Sequence, residues 1–550
     1  MALNIAQCLR NEAAEQPQRP AVVFKTGVLE TGEPAYSQLT FAELDRRSDS
    51  LAWGLSELGL RPGMKTLLMI RPCLDFYALV FALFKTGAVP VMIDPGMGWM
   101  GFLDCVAQVA PEVFIGIPSA HLLRLVCGRA FASVRINVSF GSRWCFWGGT
   151  RLASLKGKSE PFSIHEPSDH ETSAVLFTSG STGPAKGVTY THEIFQAQIR
   201  ILREFYGIRR GETDLACFPL FSLFSIGLGA TAVIPDMDFT HPALVDPTHI
   251  IEPIQNRKCT YSFGSPALWD NVGRYCAEHH VCLPGLKRIF MSGAPVPRRV
   301  HDTLLNHVLD ADAETYTPYG ATESLPIANF SGHEMLSGTA EATAKGAGVC
   351  VGKPLSLNTL RIIRITDDPI PEWDDSLVLP DGQIGEICVK GPVVTREYYH
   401  RPEATRLAKI AEGDDIWHRV GDLGYLDSQG RLWFCGRKAH RVVTEHGLLC
   451  SVCCEAIFNA VPGVHRSALV GLGSRPHQTP VIVIEPEEKE YARLSSAPEL
   501  FLERAESNAL TRDIKKVLFR RDFPVDVRHN AKINREELAR WAASASTAPL

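Results

Sequence analysis

Thr178-Ser179-Gly180-Ser181-Thr182-Gly183-Pro184-Ala185-Lys186-Gly187 packs small residues, hydroxyls and one Lys into a single stretch. Glycine reaches backbone conformations that other residues avoid, so such a loop can turn its N–H groups toward an anion. The hydroxyls add donors and Lys186 adds a mobile positive charge. The apolar run Ala174-Val175-Leu176-Phe177 just before it reads as a buried strand. The combination has the make-up of a triphosphate cradle. By composition alone it is also that of a surface turn. It is not a Walker A loop, which has Gly directly before the Lys and Ser or Thr directly after it; here Ala185 and Gly187 take those places.

Four further strings carry chemistry. In Tyr319-Gly320-Ala321-Thr322-Glu323, the Gly permits close backbone approach to a nucleotide, and Glu323 is a hard-oxygen ligand suited to Mg²⁺. Ser292-Gly293-Ala294-Pro295 is a small-residue turn after the strand-like Lys287–Phe290. Trp417-His418-Arg419-Val420-Gly421-Asp422-Leu423-Gly424 is followed by Gly436-Arg437. Asp422 offers two acceptor oxygens, enough for both hydroxyls of a ribose, and Arg437 a fixed donor fork. Asn530-Ala531-Lys532-Ile533-Asn534 ends the series on a cation. Each string alone is also an ordinary turn or, for Lys532, an ordinary surface lysine.

In this order the strings resemble the AMP-forming adenylating enzymes: acyl-CoA synthetases, luciferases and peptide-synthetase adenylation domains. The resemblance spans Thr178 to Leu538 and extends upstream to Phe84-Lys85-Thr86-Gly87-Ala88-Val89-Pro90-Val91. It implies ATP and Mg²⁺ as cofactors. It places Thr178, Ser179, Gly180, Ser181, Thr182, Gly183 and Lys186 on phosphates, and Thr322 on the α-phosphate with Glu323 holding Mg²⁺. Gly293, Ala294, Pro295, Tyr319 and Gly320 would lie at adenine, with Asp422 at ribose and Arg437 at ribose or phosphate. Lys532 would bridge the acyl carboxylate and the α-phosphate. The chain departs from the family pattern at Ala531, where Gly is usual, and at Ser222, where acyl-CoA synthetases often carry His. Ala439 stands at the usual hinge Asp or Lys. Val443-Thr444-Glu445-His446-Gly447 lacks the Lys of CoA-using members.

The fine text around Tyr316-Thr317-Pro318-Tyr319-Gly320-Ala321-Thr322-Glu323-Ser324-Leu325-Pro326 resembles the β-lactone synthetases of bacterial long-chain olefin biosynthesis. That implies a 2-alkyl-3-hydroxy long-chain fatty acid as substrate, whose own 3-hydroxyl closes the ring and releases AMP. Thiolase-like and hydrolase-like enzymes of the same pathway are the implied partners. His440, His446 or the departing phosphate would take the hydroxyl proton, and Phe221, Phe224 and Phe263 are candidate walls for the alkyl arms. The alternatives are a long-chain acyl-CoA synthetase, an acyl-AMP ligase, and a binding protein without catalysis. Pyrophosphate release by the intact chain against Lys532→Ala separates the last from the others.

Elements that position these strings are legible too. Thr40 and Glu43 form a capping box ahead of Leu44, Leu51, Leu55 and Leu58. Strand-like Lys65–Ile70, helical Asp75–Thr86 and strand-like Ala88–Ile93 alternate as in an α/β unit with largely parallel strands. Thr191 caps a helix striped by Phe195, Ile199, Leu202 and Tyr206. Short strands and Gly-rich turns follow from Gly385 to Phe434. The fold class expected is α/β: a large N-terminal domain of several subdomains over residues 1–437, then a small mobile α+β lid over 438–550 that carries Lys532. The lid is expected to hold strands Ser467–Val470 and Val481–Ile484 and a polar helix over Glu499–Leu518.

A chain of 550 residues is too long for one core. A net charge of −5 gives no electrostatic ground for a nucleic-acid partner. The apolar run Phe76–Phe84 is too short to span a bilayer, so no transmembrane segment is expected, and no signal peptide is apparent. The 15 Cys are scattered, the pair Cys453-Cys454 lacks CxxC spacing and no His cluster has zinc-ligand spacing, which suits reduced thiols in a cytoplasmic protein.

Overall fold

The computed structural model describes residues 3–94, 97–141, 148–155, 157–177, 185–525 and 533–547. The strings Thr178–Pro184 and Asn530–Lys532 therefore lie outside the described residues, and with them Thr178, Ser179, Gly180, Ser181, Thr182, Gly183 and Lys532.

Helix Phe41–Glu57 starts on the expected capping box: Thr40 Oγ1 accepts from the Glu43 N–H at 3.2 Å, and the Glu43 carboxylate accepts from the Thr40 N–H at 2.8 Å. It packs against helix Leu74–Thr86, which is buried from Phe76 through Thr86 and so is apolar nearly all round. The run too short for a bilayer is thus a core helix. Its Lys85 is fully buried and pairs with Asp45 at 2.5 Å and Asp49 at 2.7 Å.

Two large sheets dominate. One has seven strands in the order Thr150–Arg151, Ile136–Ser139, Val113–Gly116, Lys65–Met69, Val89–Met92, Thr172–Phe177, Gly187–Thr191. All neighbours in it are parallel except the last pair. The other has nine, and its centre of Arg288–Met291, Tyr261–Gly264, Thr213–Ala216 and Thr231–Ile234 is also parallel. The expected α/β alternation holds. Open parallel sheets bind ligands beyond the carboxyl ends of their strands, and here both sheets present such ends.

A third, antiparallel sheet joins Thr359–Ile363, Gly385–Lys390, Asp415–Leu426, Leu432–Arg437 and Val349–Cys350, with Lys409–Glu412 on Asp415–Leu426. Beyond it, Val464–Leu472 and Thr479–Pro486 pair antiparallel, and Lys516–Phe519 adds in parallel. This corrects the expected Glu499–Leu518 helix, which stops at Glu506 after starting at Pro498. Asn508 ends it by accepting the Leu510 N–H on its side chain at 2.9 Å, and Lys516-Val517-Leu518-Phe519 goes to the sheet edge, as β-branched and aromatic residues favour. The described cysteines are all free thiols, and all but Cys282 are wholly or partly buried. Among the described residues no helix is long and apolar enough to cross a membrane.

Candidate active site

One cavity of about 1640 Å³ gathers the described candidates. Lys186, Gly293, Ala294, Pro295, Tyr319 and Gly320 line it, and so do Thr322, Glu323, Asp422 and Arg437. It lies where the parallel strands end: Met69, Met92 and Phe177 reach it from one sheet, Phe263 and Ser292 from the other.

The turn between strands Glu314–Ala321 and Ser324–Ser331 shows how the polar end is built. Its carbonyls are taken by neighbours. Tyr190 Oη donates to the Thr322 carbonyl at 2.7 Å, the Thr395 N–H and Oγ1 to that of Glu323 at 2.9 and 3.1 Å, and Gln198 Nε2 to that of Leu325 at 2.9 Å. The Thr322 and Glu323 side chains are left to line the cavity. Gly320 is required here, because a Cβ would stand 2.6 Å from the Ser324 carbonyl oxygen.

Two residues that sequence reasoning missed attend Glu323. Tyr398 Oη donates to Glu323 Oε1 at 2.6 Å, and the Lys186 ammonium sits 4.8 Å from the Tyr398 ring centre. Lys409 is buried and donates to the Thr395 carbonyl and to Thr395 Oγ1. The only sequence signals were an aromatic pair, Tyr398-Tyr399, and a lone Lys inside Leu407-Ala408-Lys409-Ile410. Burial pushes Lys409 down to about 7 against the pull of the Glu323 carboxylate. An unfolded Lys titrates near ~10.4. Between those values the unfolded chain binds more protons, so stability rises with pH. The urea midpoint of the wild type is expected to climb from about pH 7 to about pH 9 relative to that of Lys409→Met. A pH-independent difference would show that Lys409 stays charged when buried.

Asp422 and Arg437 are register partners across neighbouring strands, with Asp422 Oδ1 3.0 Å from Arg437 Nη1. Tyr319 Oη donates to Asp422 Oδ2 at 2.5 Å. Burial raises the Asp422 carboxyl while Arg437 opposes the shift, and burial lifts the Tyr319 phenol well above its ordinary range. Gly293 takes a left-handed φ of +94°, which lets the Ser292–Pro295 turn face the cavity. Phe221, Phe224 and Phe263 all line the apolar part, as expected of its walls. Of the histidines weighed as proton acceptors, neither is in the cavity lining among the described residues. His446 is exposed. His440 is pushed down to about 3 by burial, with Arg535, Arg437 and Arg475 adding to the effect.

No set of three or more His, Cys, Asp or Glu among the described residues is placed to hold a metal ion. The donor set fits Mg²⁺ all the same, since that ion is commonly held by one or two carboxylates plus substrate phosphates, and Glu323 supplies one carboxylate on the cavity.

The sequence profile of the family described as AMP-binding enzyme matches residues 9–399. The chain is 44% identical over 556 positions to the olefin beta-lactone synthetase of Stenotrophomonas maltophilia, covering 98% of this chain and 98% of that protein. The olefin beta-lactone synthetase of Xanthomonas campestris pv. campestris is 43% identical over 549 positions, covering 98% and 97%. Among solved structures, the amide bond synthetase McbA from Marinactinospora thermotolerans superposes with a TM-score of 0.77 at 21% identity, covering 98% of this chain and 99% of that one, a likeness of fold. The profile takes in the cavity's strands and the turn at Glu323, and the two curated relatives run past it through Asp422 and Arg437. By that profile, which matches well over half of its length, the chain belongs to the AMP-binding enzyme family.

Proposed function

We propose that this AMP-forming ligase adenylates a 2-alkyl-3-hydroxy long-chain fatty acid and cyclises it to a β-lactone, releasing AMP and pyrophosphate. The observation that carries the reading is likeness over nearly the whole chain to two olefin β-lactone synthetases, at 44% and 43% identity. The cavity supports it, since a polar end with Glu323 and Asp422 opens into aromatic walls. Residues 1–437 form the adenylating body and 438–550 the lid.

In this reading Thr178–Gly183 and Lys186 hold the β- and γ-phosphates and Thr322 the α-phosphate. Asp422 and Arg437 hold the ribose, and the Gly293–Pro295 turn with Tyr319 and Gly320 the adenine. Mg²⁺, when held at Glu323, neutralises phosphate charge. Carboxylate and α-phosphate are both anions, so their approach needs preorganised positive charge, and Lys532 supplies it at the junction. The carboxylate oxygen bonds to the α-phosphorus and pyrophosphate leaves. The 3-hydroxyl oxygen then bonds to the carbonyl carbon, AMP leaves, and the hydroxyl proton passes to the departing phosphate, the acceptor favoured once His440 and His446 are set aside. Holding that hydroxyl beside the carbonyl gives the closure a high effective molarity.

Incubation with ATP, Mg²⁺ and a 2-alkyl-3-hydroxy acid, without CoA, is expected to yield lactone and AMP, with the lactone carbonyl read by infrared or NMR. Thioester with CoA and no lactone at any chain length would replace this reading with that of an acyl-CoA synthetase.

A further inference from the structure

Beside the large cavity lies a smaller one of about 80 Å³. Gln198, Phe221, Phe263, Ser292, Pro318 and Leu325 line both. Their junction is next to the adenylation machinery: Ser292 precedes Gly293, Pro318 precedes Tyr319, and Leu325 lies just past Glu323. The partition is aromatic, with the Phe221 and Phe263 ring centres 4.4 Å apart and those of Phe221 and Phe224 6.0 Å apart. The annex has its own apolar walls in Leu202, Tyr206, Ile208, Leu228 and Phe290. The large cavity extends instead to Trp99, which is exposed.

A linear fatty acid has one tail and needs one tunnel. A 2-alkyl-3-hydroxy acid has two tails that part at the carbon next to the carboxyl, so the second must find apolar room within a bond or two of the reacting carbonyl. We propose that the annex behind Phe221 and Phe263 receives the 2-alkyl arm, while the main chain bearing the 3-hydroxyl lies in the large cavity. This rests on the function proposed above and deepens it. With the arm lodged to one side and the main chain in the large cavity, rotation about the bond between the carbon bearing the arm and the carbon bearing the hydroxyl is restricted, which holds the 3-hydroxyl near the carbonyl it attacks. The volume equals roughly three water molecules, room for the first few carbons before Phe221 and Phe224 must turn. The far end is polar. Ser225 Oγ donates to Asp214 Oδ2 at 2.7 Å, and buried Asp214 Oδ1 has no hydrogen-bond partner among the described residues. That end marks where an alkyl arm stops.

Leu228 lines the annex and not the large cavity, so two variants at this position test the assignment in opposite directions. Leu228→Phe narrows the annex and Leu228→Ala widens it. Pyrophosphate release and lactone are measured separately for a 2-octyl-3-hydroxy acid and for the unbranched 3-hydroxy acid of the same main chain. For Leu228→Phe, the ratio of kcat/KM in pyrophosphate release, branched over unbranched, is expected to fall about tenfold, the discrimination that one or two crowded methylenes give. For Leu228→Ala, the preference is expected to move toward longer 2-alkyl arms. Equal changes for both acids, or an unchanged ratio in both variants, would overturn the assignment. Failure of the parent reading looks different: the wild type adenylates both acids and makes no lactone, whatever happens to the ratio. Should Leu228→Phe fail to fold, the arm-length shift in Leu228→Ala decides alone.

Discussion

Asp422→Ala is expected to lower kcat/KM for ATP in pyrophosphate release by about 10²–10³-fold. The carboxylate is buried, and in the present structure it answers two groups at once, Arg437 at 3.0 Å and the Tyr319 hydroxyl at 2.5 Å. A carboxylate has about four lone-pair sites, so two remain for the ribose hydroxyls proposed to bind there. Alanine removes those acceptors and leaves a guanidinium and a phenol facing a methyl group. Hydrogen bonds to charged groups are each worth about 1.5–3 kcal/mol, and leaving a partner unsatisfied adds to the loss. Two such terms reach the stated range at about 1.4 kcal/mol per decade. Asp422→Asn keeps an acceptor for Tyr319 and loses only the charge that Arg437 faces, so its effect should fall between wild type and Ala. A change below about threefold in Asp422→Ala, with unaltered thermal unfolding, would remove Asp422 from the nucleotide site.

The parts of this site that were legible in the sequence are those whose chemistry is local. The Thr40–Glu43 box and the Thr191 cap act within one helical turn, so the sequence shows them directly, and both are formed. The Tyr319–Glu323, Ser292–Pro295 and Asp422–Arg437 strings each carry their own glycines and polar groups, and all reach one cavity. What escaped is what only topology brings together. Tyr398 meets Glu323 across 75 residues of chain, and nothing near Tyr398 in sequence announces a carboxylate. Lys409 is a lone charge in an apolar stretch of sequence, and its burial depends on Thr395 and on the pairing of Lys409–Glu412 with Asp415–Leu426. Phe221, Phe224 and Phe263 were readable as walls, but the second space behind them needs Phe263 and Phe290 on adjacent strands. The error over Glu499–Leu518 has the same root. Its polar spacing suits a helix, and the edge of Thr479–Pro486 claims its end for a strand.

Glu386→Ala is expected to be the most destabilising single change, by about 3–5 kcal/mol, because it strands two cations at once. Glu386 is 1% exposed. Its Oε2 takes Arg419 at 2.6 Å, and its Oε1 takes Lys438 at 2.9 Å. Arg419 spends its other donors on the carbonyls of Thr366 at 2.6 Å, Asp368 at 2.8 Å and Leu407 at 3.1 Å. Those carbonyls cannot supply the missing negative charge. The Arg419 guanidinium cannot deprotonate either, so the loss must appear as unfolding, read as a lower urea midpoint. Glu386→Gln keeps an acceptor and should lose less. The cluster also joins the two sides of the proposed boundary, since Lys438 directly follows Arg437 and Arg441 pairs with Asp367 at 2.5 Å. Releasing Lys438 should therefore speed tryptic cleavage after Lys438 or Arg441 in the still-folded variant. An unfolding free energy within about 1 kcal/mol of wild type, with cleavage unchanged, would mean that neighbouring water replaces the carboxylate and that this junction is held elsewhere.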